Sequence, residues 1–81
     1  MKNIFLLFLL TSTLFSSVNQ ITMLQEACQN NHPSACYELG LLYEEGIGID
    51  KNETTAKSYY THACDNTIHE ACNALDRMTK K

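Results

Sequence analysis

Apolar side chains recur at helical spacing in four segments of the chain after residue 20, and polar stretches separate these segments. The first stripe contains Leu24, Ala27 and Cys28. The other three are Ala35, Leu39, Leu42 and Tyr43; Ala56, Tyr59, Tyr60, Ala63 and Cys64; and Ala71, Leu75 and Met78. Apolar positions three and four residues apart indicate amphipathic helices, whereas strands alternate. The pattern therefore predicts an all-α chain of about four short helices.

Capping residues mark where these helices begin. Thr22 with Gln25, and Thr67 with Glu70, have the spacing of capping boxes, in which a hydroxyl and a later Glu or Gln satisfy the first backbone N–H groups. Pro33 suits the first position of the second helix, because its missing N–H would be unpaired there in any case. These residues predict starts for the first, second and fourth helices.

The end of the second helix and the start of the third are marked in "EEGIGIDKN". Gly46 suits a left-handed C-terminal cap, and Gly48 suits the turn that follows. Either Asp50 or Asn52 can cap the third helix. The sequence leaves that choice open.

The N-terminal segment differs in composition from the rest. Lys2 precedes the apolar run "IFLLFLL" at 4–10, which is typical of a secretory signal peptide. We predict that 1–19 is a signal peptide, cleaved somewhere between Ser16 and Gln20. A signal anchor is the alternative, although the run is short for a membrane span of about 20 residues.

The remaining segment, 20–81, is long enough for one domain. A chain of about 60 residues buries only about 60% of its unfolded surface and is marginally stable by itself. The net charge of −3, with no cluster of Lys and Arg, argues against a nucleic-acid partner. No cofactor is predicted.

Four cysteines follow the predicted signal peptide, spaced as two Cys-x7-Cys pairs. An even number of cysteines in an exported chain indicates disulfides. Short loops between antiparallel helices bring the two cysteines of each pair together, so we predict Cys28–Cys36 and Cys64–Cys72. Each is worth about 2.5 kcal/mol in the chain-entropy view. Zinc is the competing interpretation, since His32, His62 and His69 lie nearby, but zinc knuckles have closer cysteines, so no metal site is predicted.

The two cysteine pairs belong to a longer repeat. A shift of 36 residues aligns Ala27 with Ala63 and Cys36 with Cys72. A period in the thirties is typical of helical solenoids, in which each helix pair stacks on the next.

The segment 35–64 resembles a SEL-one-like repeat, a relative of the tetratricopeptide repeat. The residues that carry the resemblance are Leu39, Gly40, Tyr43, Gly46, Gly48, Ile49, Ala56, Tyr60 and Ala63. With its cysteine pairs, the chain is similar to the Helicobacter cysteine-rich protein family of exported repeat proteins. The resemblance implies a short, disulfide-linked α/α solenoid with one full repeat and a half-repeat on either side. Asp76 stands where the next repeat glycine belongs.

Members of that family are described as β-lactamases, and penicillin binding is attributed to some, so the resemblance implies that activity as an alternative function. The sequence itself offers no catalytic constellation for it, since serine β-lactamases need Ser-x-x-Lys. Thr54 and Lys57 have this spacing, but with threonine in place of serine.

The geometry of helical repeats favours a binding function. The first helices of successive repeats stack side by side and form a concave surface that can hold a protein segment. On the second helix, five residues lie outside the core stripe and are our predicted binding surface: Tyr37, Glu38, Leu41, Glu44 and Glu45. The predicted function is therefore an exported module, secreted or periplasmic, that binds a protein or peptide. A shortened copy of a longer repeat protein, without a role of its own, is a third possibility.

Overall fold

The computed structural model describes residues 16–80, and most of the predicted signal peptide lies outside these residues. Within 16–80 the chain contains no strand. Each helix packs against the next one along the chain. The four helices are α1 (Ser16–Gln29), α2 (Pro33–Glu45), α3 (Glu53–Asp65) and α4 (His69–Thr79). The prediction of an all-α architecture with four helices is confirmed for this part of the chain.

The start and end of α2 and the start of α3 agree with the capping residues predicted from the sequence. Pro33 is the first residue of α2, and Gly46 ends that helix in the left-handed conformation, with φ 71°. Asn52, rather than Asp50, caps α3, since its side-chain oxygen accepts a 3.0 Å hydrogen bond from the Thr55 N–H. These ends depend on neighbouring residues alone, which is why the sequence predicts them.

The two predicted capping boxes are wrong. Thr22 lies inside α1, which already begins at Ser16, so it does not start a helix. Thr67 has a positive φ of 74° and belongs to the turn before α4. Ile68 occupies the N-cap position of α4 and makes no side-chain capping bond. The tight turn needs a left-handed residue at Thr67, and this requirement overrides its preference for the cap.

The turn between α1 and α2 and the turn between α3 and α4 share equivalent backbone hydrogen bonds to the carbonyls of Ala27 and Ala63. In the first turn the His32 N–H donates to the Ala27 carbonyl at 3.0 Å. In the second turn the Ile68 N–H donates to the Ala63 carbonyl, also at 3.0 Å. Both partners of the second bond lie 36 residues after those of the first, so the sequence period corresponds to a common turn geometry.

Both predicted disulfides are present. The Cα atoms are 4.9 Å apart in Cys28–Cys36 and 4.8 Å apart in Cys64–Cys72. Each bond joins the end of one helix to the first turn of the next. The pairing predicted from the short loops is confirmed.

The core is built mainly from small side chains around two larger ones, Tyr60 and Leu39. Its fully buried members are Cys36, Leu39, Ala56, Tyr60, Ala63 and Ala71. Small residues let the helices approach closely, and the Tyr60 ring fills the space between them. Tyr43 and Tyr59 are half-buried and stack with ring centroids 5.6 Å apart.

The helices of residues 16–80 do not include a candidate membrane span, as judged by their length and hydropathy.

Candidate functional site

Three helices meet at the carboxylate of Glu44, near the end of α2. The Tyr60 hydroxyl from α3 donates a 2.6 Å hydrogen bond to Glu44 Oε1. The Arg77 guanidinium from α4 donates to both carboxylate oxygens, with Nη1 2.6 Å from Oε2 and Nη2 3.0 Å from Oε1. We call these three residues the Glu44 cluster. It joins α2, α3 and α4 through one acidic side chain.

The Glu44 cluster extends from the core to the surface. The Glu44 side chain is only 10% exposed, whereas that of Arg77 is 53% exposed. Burial, followed by the hydrogen bond with Glu44, raises the pKa of Tyr60 well above its usual range. The hydrogen bonds with Glu44 also raise the pKa of Arg77. Tyr60 is therefore a neutral donor and Arg77 a permanent cation under all ordinary conditions.

The placement of Glu44 corrects one prediction. The sequence pattern places Glu44 outside the core stripe, on the predicted binding surface with Glu45, but the structure buries it. A buried glutamate is tolerated here because the Tyr60 phenol and the Arg77 guanidinium donate hydrogen bonds to its carboxylate oxygens. Neither partner is close to Glu44 in sequence, so no local pattern reveals the pairing.

An open groove lies between α2 and α4, next to the Glu44 cluster. It has a volume of about 370 Å³. Its lining residues are Tyr37 from α2 and Glu70, Asn73, Ala74 and Arg77 from α4. We call this site the α2/α4 groove. It combines an aromatic ring, an amide and charges of both signs in a small space.

Core contacts hold two of the groove residues in place. The Tyr37 ring lies 5.8 Å from the Tyr60 ring, between centroids, at an angle of 40°. Arg77 is held by its two bonds to Glu44. Asn73 is exposed in the groove, and its side chain makes no hydrogen bond within residues 16–80.

The predicted binding surface is only partly gathered at this groove. Tyr37 lines it, while Leu41 is half-buried and packs against the core instead. Glu38 and Glu45 are exposed, but neither lines the groove. Glu44 does not line the groove, but it accepts hydrogen bonds from Arg77, which does. Whether any of these residues binds a partner stays a prediction.

The groove residues that the sequence analysis missed lie on α4. The 36-residue period was the available signal, because it maps Tyr37 onto Asn73 and Leu41 onto Arg77. The predicted binding surface lies on α2 alone. The same period applied to Tyr37 and Leu41 identifies Asn73 and Arg77, so the signal is present in the sequence.

A second pocket, of about 300 Å³, lies between α1 and α3. Its lining residues are Cys28, Gln29, Asn31, Ser58, Tyr59 and His62. We call it the α1/α3 pocket. The metal-ligating atoms of Cys28, Cys36 and His62 all lie within 4.8 Å of one another at this site. In the disulfide form the two sulfurs are bonded to each other and are not thiolate ligands.

The α2/α4 groove can recognise a ligand through several kinds of contact. An aromatic ring packs on apolar groups, an amide both donates and accepts, and a guanidinium retains N–H donors beyond those used on Glu44. Comparisons with protein-family models, with curated proteins and with solved structures find no match for this chain.

Proposed function

We propose that this chain is an exported, cysteine-rich binding module that holds an extended segment of a protein or peptide partner in the α2/α4 groove. The observation that carries the proposal is the convergence of Tyr37, Asn73 and Arg77 on one open groove. Two of these side chains are held in position by the core, so little ordering entropy would be lost when a ligand binds.

The chemistry of the groove suits a peptide backbone. An extended segment presents N–H and C=O groups alternately, and the Asn73 amide can pair with one of each. The outward N–H groups of Arg77 can donate to a carbonyl or carboxylate, while Glu70 accepts from an N–H or a cation. The Tyr37 ring would pack on an apolar side chain of the partner.

The proposed architecture is a short solenoid of tetratricopeptide-like, SEL-one-like repeats, with the full repeat at 35–64. Sequential helix packing supports it, as do the two turns with equivalent hydrogen bonds. The two cavities also support it, since alternate helices line each of them: α2 and α4 line the α2/α4 groove, and α1 and α3 line the α1/α3 pocket. In such a solenoid the α2/α4 groove belongs to the concave surface that binds ligands.

The proposed location of the module is the periplasm or the outside of the cell. The two intramolecular disulfides support it, because disulfides persist in oxidising compartments. The signal peptide at 1–19 remains a prediction from composition.

A peptide-display selection against the purified oxidised chain tests the binding proposal. We expect selected peptides to lose at least about 10-fold in affinity with Asn73→Ala and with Tyr37→Ser, the size of one good polar or aromatic contact. Ser58→Ala is the matched control, because Ser58 is exposed on α3 and lines the other pocket. Circular dichroism of each variant shows whether it is folded.

Two results would contradict the binding proposal. The first is a selection in which no peptide distinguishes the groove variants from Ser58→Ala. The second is turnover of a chromogenic cephalosporin that one substitution abolishes, with Thr54→Ala and Lys57→Ala as the first variants. That second result would favour the β-lactamase alternative that the family resemblance implies.

A further inference from the structure

The Cys28–Cys36 disulfide has a histidine neighbour from another helix. His62, an exposed residue of α3, places an imidazole nitrogen within 4.8 Å of both sulfur atoms. Three helices therefore contribute to one small cluster, with Cys28 from α1, Cys36 from α2 and His62 from α3. We call these residues the Cys2His cluster.

The donor atoms of the Cys2His cluster are those of a zinc site. Thiolate sulfur binds Zn²⁺ at about 2.3 Å and imidazole nitrogen at about 2.0–2.1 Å, usually in tetrahedral geometry. Donors within 4.8 Å of one another need only small side-chain movements to surround one ion. The 4.9 Å separation of the cysteine Cα atoms already brings both thiols to one point.

The spacing of the cysteines along the chain is what speaks against a metal site in the sequence. A Cys-x7-Cys pair lacks the close spacing of a zinc knuckle. The tight turn after α1 compensates for the longer spacing, and the packing of α3 supplies the third ligand. Spacing along the chain does not report either effect.

We propose that the Cys28–Cys36 pair has two alternative states, a disulfide and a metal site. When a dithiol reductant opens the disulfide, the two thiolates and His62 bind one Zn²⁺-class ion. The α1/α3 pocket leaves the fourth coordination position to water. This inference goes beyond the proposed peptide binding and uses a different face of the molecule.

The chemistry balances in two steps. A dithiol gives two electrons and two protons to the disulfide, which becomes two thiols, while the dithiol itself becomes a disulfide. The ion then displaces both thiol protons to solvent and forms two sulfur–metal bonds, and the neutral imidazole donates one nitrogen lone pair. A disulfide oxidant reverses the change: it accepts two electrons from the two thiolates and becomes a dithiol, while the Cys28–Cys36 bond re-forms and the ion is released.

The second disulfide provides an internal control. Cys64–Cys72 closes an equivalent turn, with the same sequence separation of 8. Among the residues that the structure describes, this pair does not belong to a cluster of three potential ligands. The two pairs thus differ in the histidine, and only the first is expected to bind an ion.

The test uses the full chain, reduced with dithiothreitol, freed of it under anaerobic conditions, and titrated with Co²⁺ as a spectroscopic substitute for Zn²⁺. We expect one Co²⁺ per chain, sulfur-to-cobalt charge-transfer absorption, and displacement by Zn²⁺. His62→Ala should weaken binding by about 10-fold or more, since even outer-sphere changes cost that much. His69→Ala, an exposed histidine of α4, should leave binding unchanged.

Cysteine variants complete the design. Cys64→Ser with Cys72→Ser should keep the absorption, and Cys28→Ser with Cys36→Ser should abolish it. The proposal is overturned if the oxidised chain binds equally well or if His62→Ala has no effect. It is equally overturned if the variant with Cys64→Ser and Cys72→Ser loses helicity when its remaining disulfide is reduced and Zn²⁺ does not restore it, because the bound ion must hold the same helix junction.

Discussion

The ring of Tyr60 occupies the space in which a side chain on Gly40 would lie. A Cβ atom added to Gly40 would come within 2.5 Å of both Cδ1 and Cε1 of the ring. Gly40 is in the interior of α2, where glycine costs about 1 kcal/mol relative to alanine. Gly40 therefore lowers the intrinsic stability of α2 but allows α3 to pack closely against it.

Gly40→Ala should destabilise the protein even though it adds a better helix former. The fully buried ring cannot move aside without disturbing the Glu44 cluster. Overpacking of this kind typically costs about 1–3 kcal/mol. Urea unfolding followed by circular dichroism measures the cost, with Ser58→Ala as the exposed-helix control. A Gly40→Ala variant as stable as the parent would show that the ring is not tightly held.

The two buried members of the Glu44 cluster should be coupled energetically. Glu44→Ala leaves the Tyr60 hydroxyl buried without its acceptor, at a cost of about 1–3 kcal/mol. Tyr60→Phe removes the donor itself and should cost about 1 kcal/mol. In the double variant the unpaired hydroxyl is gone, so the combined loss should be less than the sum. A coupling energy of about 0.5–3 kcal/mol is expected from a double-mutant cycle, and strictly additive losses would contradict it.

Tyr60 should make the folded state sensitive to alkaline pH. Its folded pKa lies above the value of about 10 for an unfolded chain, because the phenol is buried and donates to Glu44. Above about pH 10 the folded state retains a proton that the unfolded state loses, so the free energy of unfolding falls as pH rises. In Tyr60→Phe this decline should be shallower.

Urea midpoints measured between about pH 8 and pH 11 test this linkage. Burial and Tyr43 also raise the pKa of Tyr59, but that residue is present in both proteins and its effect cancels in the comparison. Equal slopes for the parent and for Tyr60→Phe would mean that the phenol is not held in its neutral form.

The two equivalent turns allow a reciprocal exchange of residues. Asn31 and Thr67 both have positive φ, at 69° and 74°. Asparagine tolerates this conformation, whereas a β-branched residue is strained by about 1–3 kcal/mol. Thr67→Asn should therefore stabilise the protein by about 1 kcal/mol, and Asn31→Thr should destabilise it by a similar amount. Thermal unfolding of both variants measures the shifts, and shifts of the same sign would refute the turn equivalence.

Several features follow from the sequence because they depend on neighbouring residues. Helix positions come from the spacing of apolar side chains, and the end of α2 at Gly46 comes from the conformational freedom of glycine. The pairing of Cys28 with Cys36 follows from the short turn between them. Within residues 16–80, these local rules give the number of helices and both disulfides.

Only the tertiary structure decides which distant side chains meet. A helical stripe specifies a face, but not how the helices rotate and slide against one another, so the bond between Glu44 and Arg77 across 33 residues has no local signature. The same packing places His62 beside the first disulfide and brings Asn73 opposite Tyr37. Even the start of α1 at Ser16 departs from the cap predicted at Thr22. The sequence by itself determined the helices and their covalent links, whereas helix packing determined the buried acid, the groove and the third ligand.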